Sequence, residues 1–167
     1  IRTKEFLFFT PQCFPTDDSI MTLAIAKAIL DSDHDYSTLS PKAIDNMRLL
    51  GNIYPNAGYG ARFSRWLKDI NPKPYNSFGN GSAMRISAVA YAASSLTEVK
   101  DLSYKVTAVT HNHPEGIKGA EATAVATYLA LHASSMKEIR SIIDKNYYPL
   151  NFTLDDIRDS YCFNETC

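Results

Sequence analysis

From Ile20 to Leu30 the chain reads "IMTLAIAKAIL", with apolar residues on almost every side of a helical wheel, directly after Thr16-Asp17-Asp18. A helix that is apolar all round belongs in an interior, and Thr16 stands where an N-cap is expected. "LSPKAIDNMRLLGN" predicts the next helix, with Ser40 as its cap, Pro41 at the first helical position and Gly51 placed to end it. "ARFSRWLKD" has the pattern of a short amphipathic helix, broken by "NPKP". "GNGSAMRISAVAYAASS" reads as a glycine turn opening a small-residue helix. "LTEVKDLSYKVTAVT" follows as another, capped by Thr97. After "HNHPEG", the alanine-rich "IKGAEATAVATYLALHA" suits close interior packing, and "SSMKEIRSIIDKNY" and "TLDDIRDSY" complete the series with Ser135 and Thr153 as caps. Only "EFLFF" has a strand-like look. The pattern predicts one all-α domain over residues 1–167, its chemistry concentrated in the loops between helices.

Composition narrows the function more than the fold. At 167 residues the chain is long enough to bury a real core as a single domain. Its 17 basic and 18 acidic residues create no net field that would draw nucleic acid or an anionic membrane by charge. Cys13, Cys162 and Cys167 show neither the even count of a disulfide framework nor a CxxC spacing. No apolar run approaches the roughly 18 residues of a membrane span. A cytoplasmic setting is expected.

Asp17 and Asp18 have two readings. Acidic residues in a first turn interact well with the positive helix end, by about 0.3–1 kcal/mol. The chain has a second such pair in "TLDDIRD", where Thr153 and Asp156 have capping-box spacing on a charged helix. Thr16-Asp17-Asp18 instead leads into an apolar helix, and its hydroxyl and two carboxylates offer three oxygen ligands of the kind a hard cation takes. "DSDHDY" imitates an EF-hand loop but has Tyr36 at the glycine position and Lys42 at the glutamate position, so that reading fails. In "YNSFGNGSAMR" two glycines flank Asn80, which lets backbone approach a ligand closely, and the helix behind them offers free N–H groups to an anion. "NAGYGARF" is a second glycine-flanked aromatic loop. His111 and His113 in "THNHPEG" could form half a zinc site with Glu115, but no third soft ligand stands at helical spacing. One histidine bonding a ligand, the other structural or exposed, fits better.

In this order, "FPTDDSIMTLAIAKAIL", "NAGYGARFSRW", "YNSFGNGSAMRISAVA" and "VTHNHPEGIKGAEATA" closely resemble the ADP-ribosylglycohydrolase family, over nearly the whole chain. The resemblance implies an all-α orthogonal helical bundle with two Mg²⁺ ions, or Mn²⁺ in some members, in a central cleft. It implies hydrolysis of the glycosidic bond joining ADP-ribose to a protein side chain or small conjugate, with a non-catalytic ADP-ribose binder or crystallin-like relative as the alternative. Carried over by motif, Thr16, Asp17 and Asp18 match metal ligands, with Asp17 and Asp18 positioning water or ribose in catalysis. Gly58, Tyr59 and Gly60 match a loop near the phosphates. Ser77, Phe78, Gly79, Asn80 and Gly81 match the loop holding diphosphate and ribose, and His111 matches a histidine touching ADP-ribose. The family's initial Gly-Asp helix and its late Gly-Asp-x-Asp-Thr segment have no counterpart here. The expectation is therefore a partial domain, incomplete at both termini, with half of the metal site.

Overall fold

The computed structural model describes residues 5–159. Among them lie α1 (Asp17–Asp31), α2 (Leu39–Ile53), α3 (Ala61–Lys68), α4 (Ser87–Ala92), α5 (Leu96–Thr107), α6 (Pro114–Leu131), α7 (Met136–Asn146) and α8 (Leu154–Arg158), with a 3-10 turn at Tyr36–Thr38 and no strand. The all-α expectation holds. The strand-like "EFLFF" forms no ladder and bends at Phe8, and its Leu7, Phe8 and Phe9 are exposed. Strand propensity without a partner strand does not make a sheet.

α1 packs along α2, α5 along α6, and α4 lies against both α1 and α6. The shared core comprises Met21, Ala24, Ile25 and Ala28 of α1, Leu39, Ala43 and Met47 of α2, Val99, Leu102 and Val106 of α5, and Ala120, Ala124 and Val125 of α6. Each large apolar side chain buried there contributes roughly 1.5–3 kcal/mol, and the alanines of α6 let its neighbours approach closely. α1 is not buried on all sides, because α2 and α4 cover only part of it; Leu23 and Leu30 remain exposed.

Several caps differ from the sequence reading. Ser135 and Thr153 do cap α7 and α8, each in a capping box with Glu138 and Asp156. Thr16 occupies the N-cap position of α1, yet its side chain makes no cap bond. Ser95, not Thr97, caps α5 by accepting from the Glu98 N–H. α2 begins at Leu39, after a turn capped by Asp35, so the Ser40 hydroxyl is free to donate to Lys105 O. Gly51 does not end α2. It is buried within the helix, and a Cβ there would lie 2.7 and 2.8 Å from the Leu67 methyls of α3. Gly51→Val is expected to destabilise the chain by about 1–3 kcal/mol in urea melts, overpacking outweighing the gain in helix propensity; an unchanged midpoint would contradict this contact.

Candidate functional site

The first turn of α1 is fastened to the loop before α3. The Asp17 N–H donates to Ala57 O at 2.7 Å, and Gly58, at φ +95°, brings its backbone next to the Asp17 carboxylate, 3.9 Å from where a Cβ would sit. That φ is one a residue with a Cβ adopts only with strain. The Thr16 hydroxyl donates to the Asp18 carboxylate at 3.3 Å. Asp17 is half-buried, and burial followed by the neighbouring Asp18 charge raises its carboxyl above the usual range. Tyr59 places its hydroxyl in the interior without a partner, its phenol raised first by burial and then by Asp17. Its ring meets Phe63 edge-on at 5.6 Å, and Phe63 stacks on Trp66 at 5.4 Å.

The second loop lies on the start of α6. Tyr75 N–H donates to Thr110 O at 3.2 Å, Asn76 N–H to Asn112 Oδ1 at 2.7 Å, and Ser82 Oγ to Gly116 O at 3.1 Å. These bonds strap residues 75–82 across 110–116. The absence of side chains permits the closeness: a Cβ on Gly116 would fall 2.6 Å from Ser77 O and 3.4 Å from the Phe78 Cα, and one on Gly81 3.2 Å from both Cε1 and Nε2 of His111. Within the loop, Gly79 N–H donates to Ser77 Oγ at 3.3 Å. The predicted helix opening does not follow directly. Residues 80–85 form turns and α4 starts only at Ser87, so the α4 N-terminus does not present its N–H groups at Gly79–Gly81.

His111 is buried, and His113 is not its metal-binding partner. The Nδ1 of His113 accepts the Glu115 N–H at 3.1 Å, which makes it the N-cap of α6, and its ring lies 5.1 Å from Phe78. Two residues that the sequence reading passed over stand behind His111. Arg85 is fully buried, donating to Thr110 Oγ1 at 2.8 Å and Val106 O at 3.3 Å, with its guanidinium 5.8 Å from the Phe63 ring. Burial brings Arg85 down to about 10, still charged at neutral pH. Thr110 Oγ1 lies 2.7 Å from His111 Nδ1. Burial, then Arg85 and Arg62, push His111 down to about 3 and hold it neutral.

The candidate residues thus form two neighbouring groups. Asp17, Asp18 and Gly58–Gly60 lie at the α1–α3 side, and residues 77–81 with His111 at the α6 side. Arg85 against Phe63 joins them, as does the Thr22 hydroxyl, 2.6 Å from Asp18 O and 3.3 Å from Met84 O. Phe78, Gly79 and Asn80 also border a groove of about 620 Å³ lined as well by Gly116, Gly119 and Tyr148. Thr16, Asp17 and Asp18 are an all-oxygen donor set that suits one side of a hard divalent cation, and their mutual repulsion is what such a charge relieves. Among the described residues, no group of three or more His, Cys, Asp or Glu gathers to complete a metal site. No helix of those residues is long and apolar enough to cross a membrane.

Fold and site together define an all-α protein whose candidate chemistry is carried by interhelical loops packed through glycine. The family model described as ADP-ribosylglycohydrolase matches residues 3–161, and the chain belongs to that family. It is similar to ADP-ribosylhydrolase ARH3 of Mus musculus, 30% identical over 146 residues covering 77% of this chain and 38% of that protein. The Homo sapiens protein of the same name is 29% identical over 146 residues, covering 77% and 39%. That of Bos taurus is 28% identical over 140 residues, covering 74% and 37%. The chain therefore spans well under half the length of the curated relatives it matches.

Proposed function

We propose that this protein hydrolyses the glycosidic bond joining ADP-ribose to a protein side chain or small conjugate, in a cytoplasmic setting consistent with its cysteine usage. The observation that carries the reading is the glycine-permitted contact of Ser77–Gly81 with His111 and Gly116, which sets the loop's backbone directly against a buried histidine. Ser77, Phe78, Gly79, Asn80 and Gly81 hold diphosphate and ribose, backbone amides serving without need of a basic patch. Gly58, Tyr59 and Gly60 border the phosphates from the other side, and His111 hydrogen-bonds the ligand. Thr16, Asp17 and Asp18 would hold Mg²⁺ or Mn²⁺, two ions serving the whole site. The chemistry such ions supply when bound is polarisation of ribose hydroxyls and of the attacking water. Asp17 and Asp18 orient that water or the ribose; the water oxygen bonds to the anomeric carbon as that carbon's bond to the acceptor nitrogen or oxygen breaks, and a proton of the water ends on the released acceptor.

Calorimetric titration of ADP-ribose with and without Mg²⁺ tests binding. Mg²⁺ is expected to strengthen it about tenfold, or ~1.4 kcal/mol, and Asp18→Asn to remove that increment while leaving metal-free binding intact. Release of free ADP-ribose from an ADP-ribosylated peptide tests turnover; binding without turnover would favour a non-catalytic binder. No binding under either condition would sink both.

A further inference from the structure

We propose that Arg85 and Thr110 are positioning residues forming a buried relay that fixes which nitrogen of His111 carries the proton, so that the ring presents Nε2–H toward the glycine loop as a permanent donor. The directions of the hydrogen bonds follow from what each group can do. A guanidinium has donors only, so at 2.8 Å from Arg85 the Thr110 oxygen must accept. Its single hydroxyl proton then has two possible acceptors, Thr107 O at 3.5 Å and His111 Nδ1 at 2.7 Å. The first is at the outer limit of a hydrogen bond and the second at the ordinary length for a hydroxyl donor. The proton goes to Nδ1. A neutral imidazole that accepts at Nδ1 bears its hydrogen on Nε2, and Nε2 lies on the ring edge, with Cε1, that comes to 3.2 Å from the Cβ position of Gly81.

The Arg85 charge serves orientation rather than an ion pair. Its two bonded acceptors are a carbonyl and a hydroxyl, and its Nε is buried without a partner. A cation kept in the interior on neutral acceptors makes the order donor, relay, acceptor run one way, because a reversed Thr110 would aim its hydroxyl hydrogen at a group with no lone pair. The ligand group met by His111 must consequently be an acceptor, a ribose hydroxyl or phosphate oxygen. That last step rests on the ADP-ribose reading above; the tautomer does not.

The test is long-range ¹H–¹⁵N correlation on the full chain labelled at histidine, at neutral pH, with His111 assigned by His111→Gln. The expected spectrum shows His111 with a bare Nδ1 and protonated Nε2. Thr110→Val should bring in the Nδ1–H form, and Thr110→Ser should restore the original pattern. Unchanged signals of His34, His113 and His132 certify that the variant is folded. An Nδ1–H signal in the unaltered chain overturns the relay, as does an unaltered Nε2–H tautomer in folded Thr110→Val. ADP-ribose affinity, measured in parallel, is expected to fall about tenfold in Thr110→Val and to recover in Thr110→Ser. Absence of any ADP-ribose binding alongside the expected tautomer would remove the ligand reading and leave the relay standing.

Discussion

Gly116→Val is expected to abolish measurable ADP-ribose binding and to lower folding stability by about 1–3 kcal/mol, the range for forcing extra methyl groups into a packed site. The added Cβ would stand 2.6 Å from Ser77 O and 3.2 Å from the Cβ of His111. Neither neighbour is the loose end of a side chain that could swing aside. Ser77 belongs to a segment held at both ends by bonds to the 110–116 region, and His111 is fixed at Nδ1 by Thr110. The loop must therefore lift off α6, moving Ser77 and Phe78 together. Gly119 and Gly60 are built-in controls. A Cβ at Gly119 meets only the Tyr148 hydroxyl at 3.6 Å, and one at Gly60 meets nothing within 4 Å. Gly119→Ala and Gly60→Ala should both escape the overpacking penalty in urea. The first, inside α6, should gain about 0.5–1 kcal/mol of helix propensity, and the second should lose no more than the N-cap preference for glycine. A Gly116→Val chain that binds and melts normally would show that the loop is not seated as described.

The second large effect is sensitivity to acid. The imidazole of His111 drops from an ordinary 6.5 to about 3 in the fold. Between those values the unfolded chain takes up a proton that the folded chain refuses, so folding stability is fully present above pH 6.5 and is lost as pH falls through the window. The slope approaches about 1.4 kcal/mol per pH unit. Asp17 works in the opposite sense, since its raised carboxyl is relieved by protonation as pH falls. The lowered carboxyls of Asp31, Asp35, Glu98, Glu138 and Asp156 are held by exposed surface hydrogen bonds, and their losses set in only as pH falls to the ordinary carboxylate values of 3.8 and 4.5. Denaturant midpoints taken from pH 6.5 to 4.5 should therefore decline steadily in the parent and stay nearly flat in His111→Gln. Parallel declines in both would place the acid sensitivity elsewhere.

Helices were legible because their signals are local. Apolar periodicity and the Ser135 and Thr153 boxes need only a few neighbouring residues to act. Gly51 shows the limit: a glycine near the end of an apolar run reads as a stop, whereas here it is held by Leu67, which the sequence places sixteen residues away. Thr97 failed as a cap because Ser95, two residues earlier, takes the Glu98 N–H, and Ser40 because α2 already begins at Leu39, while Asp35 caps the separate turn at Tyr36–Thr38. The loops around Gly58 and Gly81 stood out by composition. Gly116, Arg85 and Thr110 did not, since their part depends on Ser77, Val106 and His111 meeting in space. A helix-borne glycine and a lone arginine carry no sign of that in one dimension.

Trp66 is the chain's single tryptophan, stacked on Phe63 one ring away from Tyr59 and two away from Asp17. An indole so placed is an intrinsic optical gauge. Movement of the Gly58–Gly60 loop would pass through the Tyr59 and Phe63 rings, and any change in the Arg85 charge over Phe63 would reach the same stack. Its emission can therefore be read without competing tryptophan signals, so the proposed binding of ADP-ribose and Mg²⁺ can be tested on an ordinary fluorimeter, with no dye or label attached.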